Sequence, residues 1–71
     1  MNKMYQHWSS ESLRQKIKYL EEDIEDWNRT LSQTKSLIIT LSLTHAIKRA
    51  KEQIRAIQAE LVYRDVQSWT D

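Results

Sequence analysis

From Leu13 onward the apolar residues of the chain fall at alternating steps of four and three: Leu13, Ile17, Leu20, Ile24, Trp27 and Leu31. A repeat of 3.5 residues marks a helix that packs along one seam. The opposite face carries Lys16, Lys18, Glu22, Glu25, Asp26 and Arg29, with Lys18–Glu22 and Glu25–Arg29 spaced to pair one turn apart. The rhythm returns at Leu43, Ile47, Ala50, Ile54, Ile57 and Leu61. Carried forward from Ile38, the first register would place His45, Glu52 and Ala59 on the seam, two residues out of phase with the second. Continuous coiled coils absorb slips of three or four, so a slip of two signals a break.

The break falls in Ser36–Thr44, S-L-I-I-T-L-S-L-T, the most apolar run of the chain. The pattern therefore predicts helix 1 over about 9–35, a connection over about 36–42 and helix 2 over about 43–67. Ser9 is placed to cap helix 1, with Trp8 and Leu13 at the positions of a hydrophobic staple. Ser12 with Gln15 forms a competing capping box, and Ser42 or Thr44 would cap helix 2. Leu37, Ile39, Leu41 and Leu43 also alternate as a strand would, but no second strand pattern exists to pair with it.

Folding back at Ile38–Ile39 sets Leu13 opposite Arg64, Ile17 opposite Leu61, Leu20 opposite Ile57, Ile24 opposite Ile54, Trp27 opposite Ala50 and Leu31 opposite Ile47. The largest seam side chain then meets the smallest, as close packing favours. The acidic run Glu21, Glu22, Asp23, Glu25 and Asp26 comes across from Lys48, Arg49, Lys51 and Arg55. A parallel dimer of one continuous helix would instead set that run beside its own copy. The fold class expected is all-α, a single antiparallel helical hairpin spanning 1–71. One stripe per helix buries little, and Tyr19, Ala46, Ala56, Ala59, Val62, Val66 and Trp69 lie off the seam. A homodimer forming a four-helix bundle is therefore expected.

Composition narrows the picture. The 71 residues contain no Gly and no Pro, which removes most tight-hairpin chemistry and favours helix over antiparallel sheet. No Cys is present, so neither disulfides nor thiolate metal sites can staple so small a chain. Charge is nearly balanced at +1, which excludes a general polyelectrolyte attraction to nucleic acid or membrane. The apolar run is about half the length a membrane span needs, and M-N-K-M-Y-Q-H-W lacks the apolar centre of a secretory leader. A cytoplasmic site with no membrane partner is expected, and chains this short suit phages and mobile elements.

Candidate chemistry is sparse. Glu21-Glu22-Asp23-Ile24-Glu25 fits E-E-x-x-E, with which some all-helical nucleotide pyrophosphohydrolases hold magnesium. The second acidic pair such a site needs is missing, because Glu52 is followed at that spacing by Arg55 and Glu60 by Tyr63. His7 and His45 lack a companion at ligand spacing. No catalytic, cofactor or metal-binding residue is expected, and the chain reads as non-enzymatic.

Two apolar clusters carry the functional expectation. One is the tip, with Leu37, Ile38, Ile39, Leu41 and Leu43; the other is the open end, where fold-back would gather Tyr5 and Trp8 with Tyr63, Val66 and Trp69. Exposed large apolar residues are unusual at a turn, and Trp and Tyr are enriched at binding hot spots. The reading is a protein-binding module (an adaptor, regulator or inhibitor) that occludes or bridges a partner protein through Tyr5, Trp8, Leu37, Ile39, Leu41 and Trp69. Nucleic-acid binding by Lys48, Arg49, Lys51 and Arg55 is the alternative, although those cations lack interleaved aromatics for stacking. A subunit of a larger assembly is a further one.

Overall fold

The computed structural model of the protein describes residues 5–70. Two helices, α1 (Ser10–Gln33) and α2 (Leu37–Thr70), pack side by side. The molecule measures 54 × 18 × 17 Å, a rod about as thick as it is wide. Ser9 caps α1 as its sequence position implies: its backbone is extended and its hydroxyl accepts from the Ser12 amide at 3.0 Å. Ser12 itself lies inside the helix, where it accepts a hydrogen bond from the Ser9 hydroxyl at 2.9 Å.

The connection is shorter and earlier than the apolar pattern implies. It comprises only Thr34, Lys35 and Ser36, and residues 37–42 of the expected 36–42 connection instead open α2 as helix. The cause is local hydrogen bonding. Thr34 turns to extended backbone while its amide still reaches the Thr30 carbonyl at 2.9 Å, and its hydroxyl accepts from the Ser36 amide. Ser36 then caps α2, its hydroxyl accepting from the Ile39 amide at 3.3 Å and its carbonyl from the Thr40 amide at 3.0 Å. Such a turn needs no positive φ, and none occurs among the described residues. Thr40 and Thr44 remain helical by donating their hydroxyls to carbonyls four residues back, at 2.9 and 2.7 Å.

Moving the fold-back point from Ile38–Ile39 to Lys35 slides α2 along α1 by seven residues, one heptad. Leu13, expected opposite Arg64, comes level with Ile57, and Leu20 comes level with Ala50 rather than Ile57. These four join Tyr5 in one buried cluster, with Leu13 and Ile57 wholly enclosed. Ile17, Ile24, Trp27, Ile54, Ala56 and Leu61 pack against it only partly covered. Trp27 and Ala50 still line one cleft, with Leu20, Ala46 and Gln53.

α2 has 34 residues against 24 in α1, and its last turns run past the start of α1. Residues 5–8 do not accompany them. Trp8 donates to the Tyr5 carbonyl in a single tight turn that folds the segment against the hairpin's flank. Tyr5 and Trp8 meet edge to face with centroids 5.5 Å apart. They line a cleft of about 420 Å³ with Lys16, Arg49, Glu52, Gln53 and Ala56.

Candidate protein-binding surface

Helical geometry decides what α2 shows to the outside. Positions 37, 41, 44, 48, 51, 55, 59, 62, 66 and 69 follow one another at steps of three and four, and every one is exposed. They form a single outer stripe about 48 Å long at 1.5 Å per residue. Leu37 and Leu41 begin it; Val62, Val66 and Trp69 end it; Lys48, Lys51 and Arg55 occupy the middle. Beside the cations a cleft of about 340 Å³ is lined by Thr44, Ile47, Lys48, Lys51, Glu52 and Arg55.

The residues singled out for protein binding are thus dispersed. Tyr5 is 3% exposed and belongs to the hairpin's core, where its side chain is engaged by the fold. Trp8 stands at the margin of the flank cleft. Leu37, Ile39 and Leu41 are exposed at the tip, Leu37 by 72%, and Trp69 is 82% exposed at the far end of the stripe. The expected gathering of Tyr5 and Trp8 with Tyr63, Val66 and Trp69 takes another form: the ring pair lines the flank cleft with Arg49, Gln53 and Ala56, while the Tyr5 carbonyl accepts from Arg64. The reason is the tight turn at Tyr5–Trp8, which turns the segment inward.

The alternative set, Lys48, Arg49, Lys51 and Arg55, is exposed throughout. Charge matching across the hairpin is absent among the described residues. No ion pair joins Glu21, Glu22, Asp23, Glu25 or Asp26 to any of these cations, and the pairs present are Arg29 with Glu25 at 3.7 Å, Arg29 with Asp26 at 3.3 Å and Arg64 with Glu60 at 2.8 Å. Most of both charged sets point away from the seam, so the hairpin carries an acidic outer edge on α1 and a basic one on α2. Among the described residues, no three His, Cys, Asp or Glu side chains are grouped as a metal ion would need.

One constellation lay beyond sequence reading. Arg64 donates to Glu60 at 2.8 Å, to the Ser10 hydroxyl at 3.1 Å and to the Tyr5 carbonyl at 3.1 Å, with a longer contact to the Gln6 carbonyl at 3.5 Å. It fastens the N-terminal segment to both helices at once. Glu60 is 6% exposed, and its second oxygen, Oε1, is buried without a hydrogen-bond partner. The available signal was the Glu60-to-Arg64 spacing of four on a seam-side face, the favoured order for a helical ion pair.

No family model matches the chain, and neither a curated protein nor a solved structure matches it. Among the described residues, no helix is long and apolar enough to cross a membrane.

Proposed function

We propose that the protein is a non-enzymatic protein-binding module, acting stoichiometrically by occluding or bridging a partner protein through the outer stripe and tip of α2. One observation carries the reading. Leu37, Ile38, Leu41, Val62, Val66 and Trp69 are all exposed on a helix whose opposite face is already occupied by α1. Large side chains at both ends of one stripe give a partner two apolar anchors, roughly 30 Å apart between Leu41 and Val62. Packed surface of this kind is what buried hot spots at interfaces are built from. Dimerisation of the hairpin into a four-helix bundle belongs to the same proposal, since a bundle would present two such stripes and so bridge two partners.

The test is capture of partners from the source cell by tagged wild type, Ile39→Asp and Trp69→Ala, followed by calorimetry on the purified partner. The reading expects a protein lost from both variants, with an affinity nearly indifferent to salt. Capture of nucleic acid instead, with affinity falling steeply as salt rises and lost on replacing Lys48 and Lys51, would overturn it in favour of phosphate binding.

A further inference from the structure

Along the outer stripe of α2 the chemistry changes twice. Leu37 and Leu41 stand at one end, Lys48, Lys51 and Arg55 in the middle, and Val62, Val66 and Trp69 at the other end, all of them exposed. At about 100° per residue, these positions fall within roughly 40° of one line along the helix. Leu41 and Lys48 are seven residues apart, and so are Arg55 and Val62, with only Thr44 and Ala59 of the stripe between them. None of the three cations is in an ion pair among the described residues. Glu52 borders the cleft beside them without pairing to any.

We infer that this stripe docks an acidic helix of another protein: carboxylates in its middle meet Lys48, Lys51 and Arg55, and apolar residues on either side cover the two ends. The inference rests on the protein-binding reading above and adds the chemistry of the partner. Other occupants fail on the same stripe. A second copy of α2, laid antiparallel, would bring Leu37 level with Trp69 but also Lys51 level with Arg55 of that copy. The α1 of a second copy offers Glu21, Glu22 and Glu25, but Lys18 and Arg29 flank that run where apolar residues are needed. A phosphate backbone would satisfy the cations and leave both apolar ends in water. An anionic bilayer would have to take the cations as deep as Leu41 and Val62, since all share one line. An acidic helix answers the three regions together. Exposed ion pairs add little affinity, so the apolar ends hold the complex while the cations speed encounter and reject basic partners.

The test is zero-length coupling by a carbodiimide, which joins a lysine amine to a carboxylate only where the two are in ion-pair contact. Tagged full-length wild type is treated in extract of the source cell, and the linked peptides are read by mass spectrometry. Lys48 and Lys51 are expected to couple to Asp or Glu of one segment in one partner protein. With that partner purified, combining Lys48→Glu, Lys51→Glu and Arg55→Glu is expected to slow association by roughly 10- to 100-fold and to leave dissociation within about threefold. Trp69→Ala is expected to do the reverse, because it removes an apolar anchor. Circular dichroism checks that the variants keep their helicity, as substitutions at exposed positions should. A partner lost from Ile39→Asp and Trp69→Ala that couples through neither lysine, or that meets the triple variant as fast as wild type, refutes the acidic helix while the docking surface stands. Coupling only between two copies of the chain refutes it as well. Retention of nucleic acid, or of vesicles containing phosphatidylserine, in place of a protein overturns both, as does retention of no protein at all.

Discussion

The two ends of the hairpin contrast sharply. At the base, Leu13 and Ile57 are wholly enclosed, and Tyr5 and Glu60 are buried beside them. At the tip, the most apolar run of the chain is largely uncovered: Leu37, Ile38, Ile39 and Leu41 all stand in solvent. Apolar content therefore does not decide burial here; the number of layers does. The base has a third element, the 5–8 segment, held across two helices by Arg64. The tip has only two helices and a three-residue turn, so only the side facing α1 can be covered. What the chain does not cover there is what a partner can.

The strongest way to break this comparison is truncation at matched ends. Leu13→Ala or Ile57→Ala should cost about 3 kcal/mol or more, as for other enclosed leucines and isoleucines. Leu37→Ala or Ile38→Ala should stay within ~0.5 kcal/mol, the range for exposed positions. Urea unfolding followed by circular dichroism measures both, and comparable losses at the two ends would refute the contrast.

Next in size is the fastening at the base. Arg64→Ala removes the bonds to Ser10 and Tyr5 and leaves the Glu60 carboxylate buried without its cation, a loss of about 2 to 3 kcal/mol. Hydrogen exchange should show the Trp8 amide losing protection in this variant. Replacing Glu60 and Arg64 together by Leu should recover much of the stability, because an apolar pair removes the stranded charge. Unchanged protection at Trp8 would show that Tyr5 holds the segment without Arg64.

A smaller effect locates the turn. Ser36→Ala should destabilise by about 1 kcal/mol through loss of the α2 cap, whereas Ser42→Ala, inside the helix, should do almost nothing. The reverse ranking would return the start of α2 to the later position that the apolar pattern implies. Smallest of all is Arg29→Ala, expected to cost less than ~0.5 kcal/mol because both of its ion pairs are exposed. A larger loss in thermal unfolding would mean that α1 near the tip depends on surface charge.

The residues themselves determined a good deal. The 3.5-residue spacing of Leu13 through Leu31, and of Leu43 through Leu61, specifies two packed helices, because only that period keeps one stripe facing a partner. Ser9 specifies where α1 begins, since its cap reaches only to Ser12, within one turn of chain. The absence of Gly and Pro leaves helices nothing to interrupt them. The fold-back point was not legible in the same way. A heptad pattern slid by seven residues superposes on itself, so the apolar columns match whether the chain turns at Lys35 or at Ile38–Ile39. The cooperation of Thr34 and Ser36 in a three-residue turn decided between them. The burial of Tyr5, the network around Arg64 and the outward aim of both charged sets likewise depend on which residues come level across the hairpin. That height is a property of two helices together, which neither pattern contains alone.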